Sequence, residues 1–316
     1  MQQPISRRTF IDTTARGAAA AGLVPGGLLA GADTVRADDP ALAIARWMNP
    51  ADEAEAIQEE AIRLTEAAVA AMGGMNRFVS RGETVFIKPN IGWDRAPHLA
   101  ACTNPDVVAT LVRLCFEAGA GTVRVADYPC NDQRRTYLRS GIQPAAEAEG
   151  AEVFFLDRRK FRPMETGGEH LPQWPIYVDY VEADKRINVP IAKHHGFSRL
   201  TLAIKNLMGM LGDPRERIHQ NLGPAMADVE KFMPSDLVII DAIRVMIANG
   251  PTGGSTADVE RRDQVIAATD SVAADAYATT LFGLEAGSIG TTRAGEALGL
   301  GTSDFESLNP VRLDVA

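Results

Sequence analysis

The feature that most constrains the fold is a regular alternation of strand-like and helix-like segments between residues 84 and 157. Short apolar runs at 84–87, 122–126 and 153–156 predict strands. An amphipathic segment that opens at Asn104 and closes at Gly119 predicts a helix after the first run, and a polar segment at 133–139 predicts another after the second. Strands that alternate with helices pair in parallel, because each helix returns the chain to the start of the next strand. The order therefore predicts a parallel sheet.

The alternation continues in the second half of the chain. It predicts strands at 186–191, 237–240 and 264–268, and helices at 198–210, 225–232 and 271–282. Residues 158–180 carry three prolines and predict a long connection with an edge strand at 177–180. The expected fold is α/β, with a parallel or mixed sheet flanked by helices in Rossmann-like layers.

The N-terminus has the composition of an export signal. Arg7 and Arg8 precede a weakly apolar stretch at 17–32 that is rich in alanine and glycine. Adjacent arginines before a mildly apolar segment are typical of proteins that the twin-arginine (Tat) translocase exports in folded form. Small residues place cleavage just before Asp33 or Asp38, and retention of the signal as an anchor is the alternative. We expect a periplasmic or otherwise exported protein with the translocase as a partner.

Four segments follow from these patterns. Residues 1–37 form the predicted signal, 38–82 an N-terminal helical segment, 83–284 the α/β domain and 285–316 a C-terminal extension. The helix in the second segment is predicted from apolar positions between Ile57 and Met72 at helical spacing, and Gly73 and Gly74 stop it. Export signal and N-terminal helix thus precede the α/β domain.

Charge and cysteine content exclude several classes of protein. Without residues 1–37, the chain has 28 cationic and 39 acidic residues, a formal charge of −11. This surplus of acidic groups argues against a nucleic-acid partner. Cys102, Cys115 and Cys130 are too widely spaced for a zinc pair or an iron–sulfur motif. One disulfide is the alternative to buried thiols in an exported protein.

Polar residues follow the predicted strands, where ligands of parallel α/β sheets bind. Lys88 and Asn90 follow the first strand, and Thr103 opens the next helix. An ammonium at a strand end can bind a carboxylate or phosphate. The alternative is a lysine that is simply solvated and binds no ligand. Thr103 also fits plain helix capping. We expect Lys88, Asn90 and Thr103 to bind substrate.

The most distinctive cluster is Lys193-His194-His195, which the pattern places in a loop before a helix that carries Lys205 and Asn206. Imidazole acts as acid, base or metal ligand near neutral pH. Lys205 lies among apolar residues and must either reach solvent or meet an anion. We predict catalytic roles for His194, Lys193 and Lys205, with His194 as general acid or base, and substrate binding by Asn206. His219 lies downstream.

A glycine-rich loop and three aspartates complete the candidates. Asn249 and Gly250 begin a turn-rich segment whose amides are predicted to bind an anion, with simple turn chemistry as the alternative. Asp127, Asp241 and Asp275 are the candidate ligands of a divalent metal, since carboxylates suit Mg, Mn and Zn alike. The sequence names no cofactor.

Several motifs in a fixed order resemble the domain of unknown function 362 (DUF362) family over residues 83–284. The motifs are FIKPN at 86–90, TNPDVV at 103–108, GAG at 119–121, VRVAD at 123–127, NVPIAKHH at 188–195, LAIKNLMG at 202–209, IDA at 240–242, NGPTGG at 249–254 and ATDSVAADA at 268–276. The family's chemistry is not established. Many relatives append a ferredoxin-like module, which implies redox work, but this chain has no such cysteine runs.

Two hypotheses follow. In the first, the α/β domain binds a small anionic organic substrate in a cleft, with Lys88, Lys193 and Lys205 neutralising its charge. In the second, the protein is a non-catalytic accessory or electron-transfer partner of an exported redox enzyme, with or without a bound metal. Whether the protein is an enzyme stays open at this point.

Overall fold

The computed structural model describes residues 39–50 and 53–316, together with the backbone of the short strand Ile5–Ser6. The strands are β1 Ile5–Ser6, β2 Leu42–Trp47, β3 Thr84–Pro89, β4 Thr122–Val125, β5 Glu152–Val153, β6 Phe161–Glu165, β7 Gln173–Tyr177, β8 Lys185–Val189, β9 Ile191–His195, β10 Arg199–Thr201, β11 Leu237–Met246, β12 Val259–Ala268 and β13 Val311–Val315. The α-helices are α1 Ala54–Ala71, α2 Pro105–Glu117, α3 Gln133–Arg139, α4 Ile142–Ala148, α5 Val178–Glu182, α6 Ala203–Asn206, α7 Leu222–Phe232, α8 Ser271–Thr280 and α9 Gly290–Ala297.

Most strands join one large mixed sheet with the order β13-β2-β12-β11-β8-β3-β4-β5, and β9 and β10 extend it beside β11. Strands β11, β8, β3, β4 and β5 run parallel to one another, as the alternation predicts. Strand β12 runs antiparallel to both β11 and β2. The predicted α/β fold with a parallel or mixed sheet is therefore confirmed, and the sheet is mixed.

Helices cover both faces of this sheet because its strands are apolar on both sides. Val85 and Ile87 of β3 pack with α1, α2 and α4 on one face, whereas Phe86 packs with α5, α6 and α7 on the other. Side chains alternate along a strand, so Lys88 belongs to the same face as Phe86. This alternation places the ammonium of Lys88 beside α6.

The predicted segments 38–82 and 285–316 both contribute strands to the large sheet. Strand β2 precedes α1 and pairs with β12 and β13, so the first of these segments is not helical alone. Helix α1 confirms the predicted helix, and it ends before Gly73 and Gly74, which both have positive φ. The predicted edge strand at 177–180 is displaced: β7 ends at Tyr177 and α5 follows.

The largest correction concerns residues 191–210. Lys193-His194-His195 was predicted as a loop but lies in β9, which pairs with β10 and β11. The predicted helix at 198–210 is divided into β10, the one-turn α6 and a 3₁₀ turn at Leu207–Met210. Pairing with β11 stabilises the extended backbone here, and this tertiary effect overrides the local pattern.

Two further findings concern export and the thiols. Apart from the backbone of β1, the predicted signal at 1–37 lies outside the described residues. Cys102, Cys115 and Cys130 are all free thiols, and the first two are buried. Within residues 39–50 and 53–316, no helix combines the length and the apolar character needed to cross a bilayer.

Candidate functional site

A cavity of about 360 Å³ opens where β3, β4 and β9 end. Its walls come from these strands, from α6 and the turn after it, and from residues 213–219. The lining residues include Lys88, Asn90, Trp93, Asp127, Tyr128, Cys130, Lys193, His195, Phe197, Lys205, Asn206, Met208, Gly209, Arg215 and His219. The predicted strand-end residues Lys88, Asn90, Asp127 and Lys193 therefore share one cavity with Lys205 and Asn206, which the sequence pattern placed on a helix.

A buried ion pair forms part of the cavity wall. Lys88 Nζ lies 2.8 Å from Asp127 Oδ1 and also donates a hydrogen bond to the carbonyl of Pro89. Asp127 Oδ2 accepts a hydrogen bond from the amide of Ile91. Burial lowers the pKa of Lys88, and the carboxylate of Asp127 opposes this effect. Lys88 thus has both its carboxylate partner and its hydrogen-bond acceptor inside the protein.

Gly209 allows this ion pair to form. A Cβ atom at this position would collide with Asp127 Oδ1 and would press on the Lys88 side chain. Gly209 itself has no positive φ, so the requirement is for space rather than for backbone conformation.

A chain of amides joins the second lysine to the sheet. Lys193 Nζ donates to Asn90 Oδ1 at 2.9 Å and to the carbonyl of Ala101. Asn90 Nδ2 donates to Asn206 Oδ1 at 3.0 Å, and Asn206 Nδ2 donates to Asn188 Oδ1 at 2.8 Å. Buried amide networks of this kind hold their members in one orientation. Burial lowers the pKa of Lys193 to about 8.

The third lysine differs from the other two. Lys205 is only 7% exposed, and its ammonium has neither an ion pair nor a hydrogen bond within the part of the chain that the structure describes. Burial lowers its pKa to about 7, and the nearby positive charges of Lys193, Arg215 and Lys88 act in the same direction. An uncompensated ammonium of this kind is costly unless a ligand supplies the counter-charge.

An imidazole faces the lysines. His195 Nδ1 accepts hydrogen bonds from the amides of Phe197 and Ser198 at 3.2 and 3.4 Å. Burial and, next, the positive charge of Lys205 lower the pKa of His195 to about 3. The ring is therefore neutral at physiological pH, and Nε2 carries its proton. His219 stacks on this ring, with 6.0 Å between the ring centroids.

Aromatic and cationic groups line the opening. Trp93 and Tyr128 are half-buried, whereas Phe197 is 85% exposed. The guanidinium of Arg215 lies 4.3 Å from the ring centroid of Tyr128 and donates to the carbonyls of Tyr128 and Pro129. Asp213 and Glu216 also reach the lining but are exposed to solvent. The cavity thus combines buried cations with an apolar, aromatic entrance.

A family model described as a domain of unknown function (DUF362) matches residues 85–280, more than half of the chain. The chain belongs to the DUF362 family. It is 28% identical over 249 residues to a thylakoid-associated protein of Synechocystis sp., and the alignment covers 76% of this chain and 75% of that protein. Among solved structures, it is similar to a crystal structure from Thermotoga maritima with 11% identity and a TM-score of 0.32, over 63% of this chain and 52% of that one. The residues that line the cavity all fall within the DUF362 match.

Four of the predicted catalytic and substrate-binding residues of the DUF362 domain do not line the cavity. They are Thr103, His194, Asn249 and Gly250. The hydroxyl of Thr103 donates to the carbonyl of Val189 and accepts from the amide of Asn90, so it fixes the loop. His194 Nδ1 accepts from the amide of Gly250 at 3.1 Å, and the Asn249 side chain donates to Asp258. His194 lies on the face of β9 that points away from the cavity. His195 has the position in the cavity that the sequence pattern predicted for His194.

The three candidate metal ligands of the DUF362 domain are separated. Asp127 pairs with Lys88, Asp241 accepts from the amide of Asn104 at 2.8 Å, and Asp275 accepts from the amide of Ala203 at 2.6 Å. No group of three His, Cys, Asp or Glu side chains able to hold a metal occurs in the described ranges. Backbone amides, and in Asp127 also the Lys88 ammonium, thus contact the carboxylates that were predicted to bind a divalent ion.

The sequence pattern missed several contributors to this DUF362 cavity. Arg215 comes from a 3₁₀ segment, Arg215–Asn221, which has no strand or helix signal of its own. Trp93 lies in a loop. Asn188 could have been found, because an amide inside the apolar strand β8 must have a hydrogen-bond partner.

Proposed function

We propose that the cavity binds a small anionic organic molecule that carries a carboxylate or a phosphate. The observation that carries this proposal is Lys205, whose side chain is 7% exposed and lines the cavity, and whose ammonium has no ion-pair or hydrogen-bond partner within the described residues. Deeper in the cavity, Lys88, Lys193 and Lys205 provide three ammonium groups against the single buried carboxylate of Asp127. An anion would supply the missing charge and the missing hydrogen-bond acceptor.

Size and lining define the rest of the ligand. A cavity of about 360 Å³ suits a small metabolite, and the aromatic entrance favours an organic body over a bare inorganic ion. Neutral His195 offers an Nε2 proton that can hydrogen-bond a carbonyl or hydroxyl oxygen of the ligand. We assign to His195 the acid–base role that the sequence pattern gave to His194.

Thermal stabilisation tests this proposal. Purified protein is heated with acetate, pyruvate, citrate, inorganic phosphate or a sugar phosphate, and a raised Tm identifies bound classes. Lys205→Met should abolish the shift. Lys231→Met is the matched control, because Lys231 is an exposed lysine of α7, far from the cavity lining. A shift that is equal in wild type, K205M and K231M, or absent from every anion in wild type, contradicts the proposal.

We further propose that the protein is exported folded by the twin-arginine translocase, which rests on Arg7 and Arg8 and the mild apolar stretch behind them. The thylakoid-associated relative is compatible with work at or beyond a membrane. Residues 1–37 fused to a fluorescent reporter that must fold before export should give periplasmic fluorescence. Replacing both arginines with lysine should leave it in the cytoplasm. Periplasmic fluorescence from the lysine variant would refute the proposal.

A further inference from the structure

We propose that Lys205 binds a carbonyl-bearing anion, of the 2-oxo acid class, covalently as an imine. This inference rests on the proposed function, because the anion must first enter the cavity. It adds a reacting atom, Lys205 Nζ, and a substrate class that carries both a carboxylate and a ketone or aldehyde.

Among the described residues, one of the three buried lysines has an amine without a hydrogen-bond acceptor. Lys88 Nζ is occupied by Asp127 and the Pro89 carbonyl, and Lys193 Nζ is occupied by Asn90 and the Ala101 carbonyl. Within the described residues, Lys205 Nζ has no such acceptor. No carboxylate or carbonyl in the described part of the chain therefore holds Lys205 as an ammonium, whereas hydrogen bonds hold the other two lysines in place.

Hydrogen bonds hold the backbone on both sides of Lys205 in place. Asp275 accepts hydrogen bonds from the amides of Ala203 and Ile204, at the start of α6. Asn206 is tied to Asn90 and Asn188. The residues on both sides of Lys205 are thus anchored, and the side chain extends from a rigid turn into the cavity.

The surroundings favour the neutral amine that imine formation requires. Lys205 is 7% exposed and shares the cavity with Lys193, Arg215 and Lys88. Burial first, and these cations next, lower its pKa to about 7, so the free amine is abundant at neutral pH. A desolvated lysine beside other cations is a recognised way to activate an amine nucleophile.

The neighbouring groups match the remaining parts of a 2-oxo acid. Lys193 and Arg215 provide positive charge for the carboxylate, and the Nε2 proton of His195 is a donor for the carbonyl oxygen. In the first step Lys205 Nζ bonds to the carbonyl carbon, and the oxygen becomes the hydroxyl of a carbinolamine. In the second step the C–O bond breaks and the oxygen leaves as water with the two protons of the amine. A C=N bond remains, and no oxidant or reductant is consumed.

Reductive trapping tests this step on the wild-type protein. Pyruvate and sodium cyanoborohydride are added to the full chain, and the products are examined by intact mass and peptide mapping. We expect one adduct per chain, with the mass of pyruvic acid less one oxygen atom, on Lys205. At saturating pyruvate, the yield should rise as the pH increases through 7, because the neutral amine reacts. The exposed Lys231 serves as an internal control in the same digest.

The outcomes separate the imine from simple anion binding. A Lys205 adduct that greatly exceeds the Lys231 adduct supports the inference. Equal labelling of both lysines, or none, overturns it. If pyruvate still raises the Tm of wild type but not of K205M in that case, the proposed anion site stands and only the covalent step is lost. If pyruvate and the other anions produce no Tm shift either, both proposals fail together.

Discussion

Lys88 Nζ lies 2.8 Å from Asp127 Oδ1, and the two side chains are 0% and 4% exposed. A buried ion pair adds little net stability, but removal of one partner leaves the other charge uncompensated. Replacing one residue of the pair therefore tests whether the pair is buried in the cavity wall.

Asp127→Asn should destabilise the protein by about 3–5 kcal/mol, because the Lys88 ammonium would be buried without a counter-charge. Urea unfolding followed by circular dichroism measures the change. Glu59→Gln is the control, since Glu59 pairs with Arg63 on the surface and should cost less than about 1 kcal/mol. Adding Lys88→Met to D127N should recover part of the loss. Equal costs for D127N and E59Q would contradict a buried pair.

Gly209→Ala should lower both stability and ligand binding. The added methyl group would displace the Asp127 carboxylate and press on Lys88. Overpacking of this kind costs roughly 1–3 kcal/mol. Gly290→Ala provides the control, because a Cβ atom there meets nothing within 4 Å. Thermal unfolding of the two variants, with and without the anion that binds wild type, gives the comparison. If G209A and G290A have the same Tm and the same ligand-induced rise in Tm, the cavity wall has room for the added methyl group.

The strand-end rule found much of the cavity because β3 and β4 are ordinary parallel strands. The apolar residues of each strand show where that strand ends, so Lys88 and Asp127 were placed correctly from the sequence. The rule does not extend to the predicted strand at 264–268, because β12 runs antiparallel to β11 and its C-terminal end, before Asp270, therefore lies at the opposite edge of the sheet. There Asp270 caps α8 by accepting from the amide of Ala273. The direction of a strand depends on its partners and is not encoded in its own residues.

Asp241 illustrates a second limit. The apolar run at 237–240 suggested a strand that ends before this residue, but β11 continues to Met246. Its buried carboxylate accepts from the amides of Asn104 and Ile243. Burial raises the pKa of Asp241 to about 6. From the sequence alone, a polar residue inside a strand looks like the end of that strand, because its hydrogen-bond partners are not known.

The two histidines of β9 give a direct test of strand geometry. Side chains alternate along a strand, so Lys193 and His195 share one face and His194 takes the other. A loop, as the sequence predicted, would impose no such alternation. His195→Ala should therefore reduce the anion-induced rise in Tm, whereas His194→Ala should preserve it.

Isothermal titration calorimetry with the anion identified in the thermal screen measures this difference. We expect H195A to weaken binding by about tenfold, which corresponds to about 1.4 kcal/mol for one lost hydrogen bond. H194A removes the acceptor of the Gly250 amide, so its stability is checked separately by urea unfolding. Weaker binding in H194A than in H195A would reverse the assignment of faces.

Lys205→Met should remove one component of the pH dependence of stability. The folded pKa of Lys205, about 7, is below its ordinary value of 10.5. Between these values the unfolded chain holds a proton that the folded chain has released, so this lysine makes stability rise with pH. Each pKa unit is worth about 1.4 kcal/mol, and the wild type should gain on the order of 4 kcal/mol relative to K205M between pH 7 and 10.

The difference between the two proteins isolates this lysine, because Lys193 and Asp275, both with pKa values shifted to about 8, titrate in each. Urea unfolding at intervals from pH 6 to 10 gives the two curves. At pH 6, K205M should be the more stable protein, since it lacks a buried charge without a partner. Anion affinity of the wild type should change in the opposite direction, falling as pH rises through 7, because the ammonium form binds the anion. Parallel stability curves for wild type and K205M would show that the Lys205 ammonium is already compensated in the folded protein, and the charge argument for the cavity would then fail.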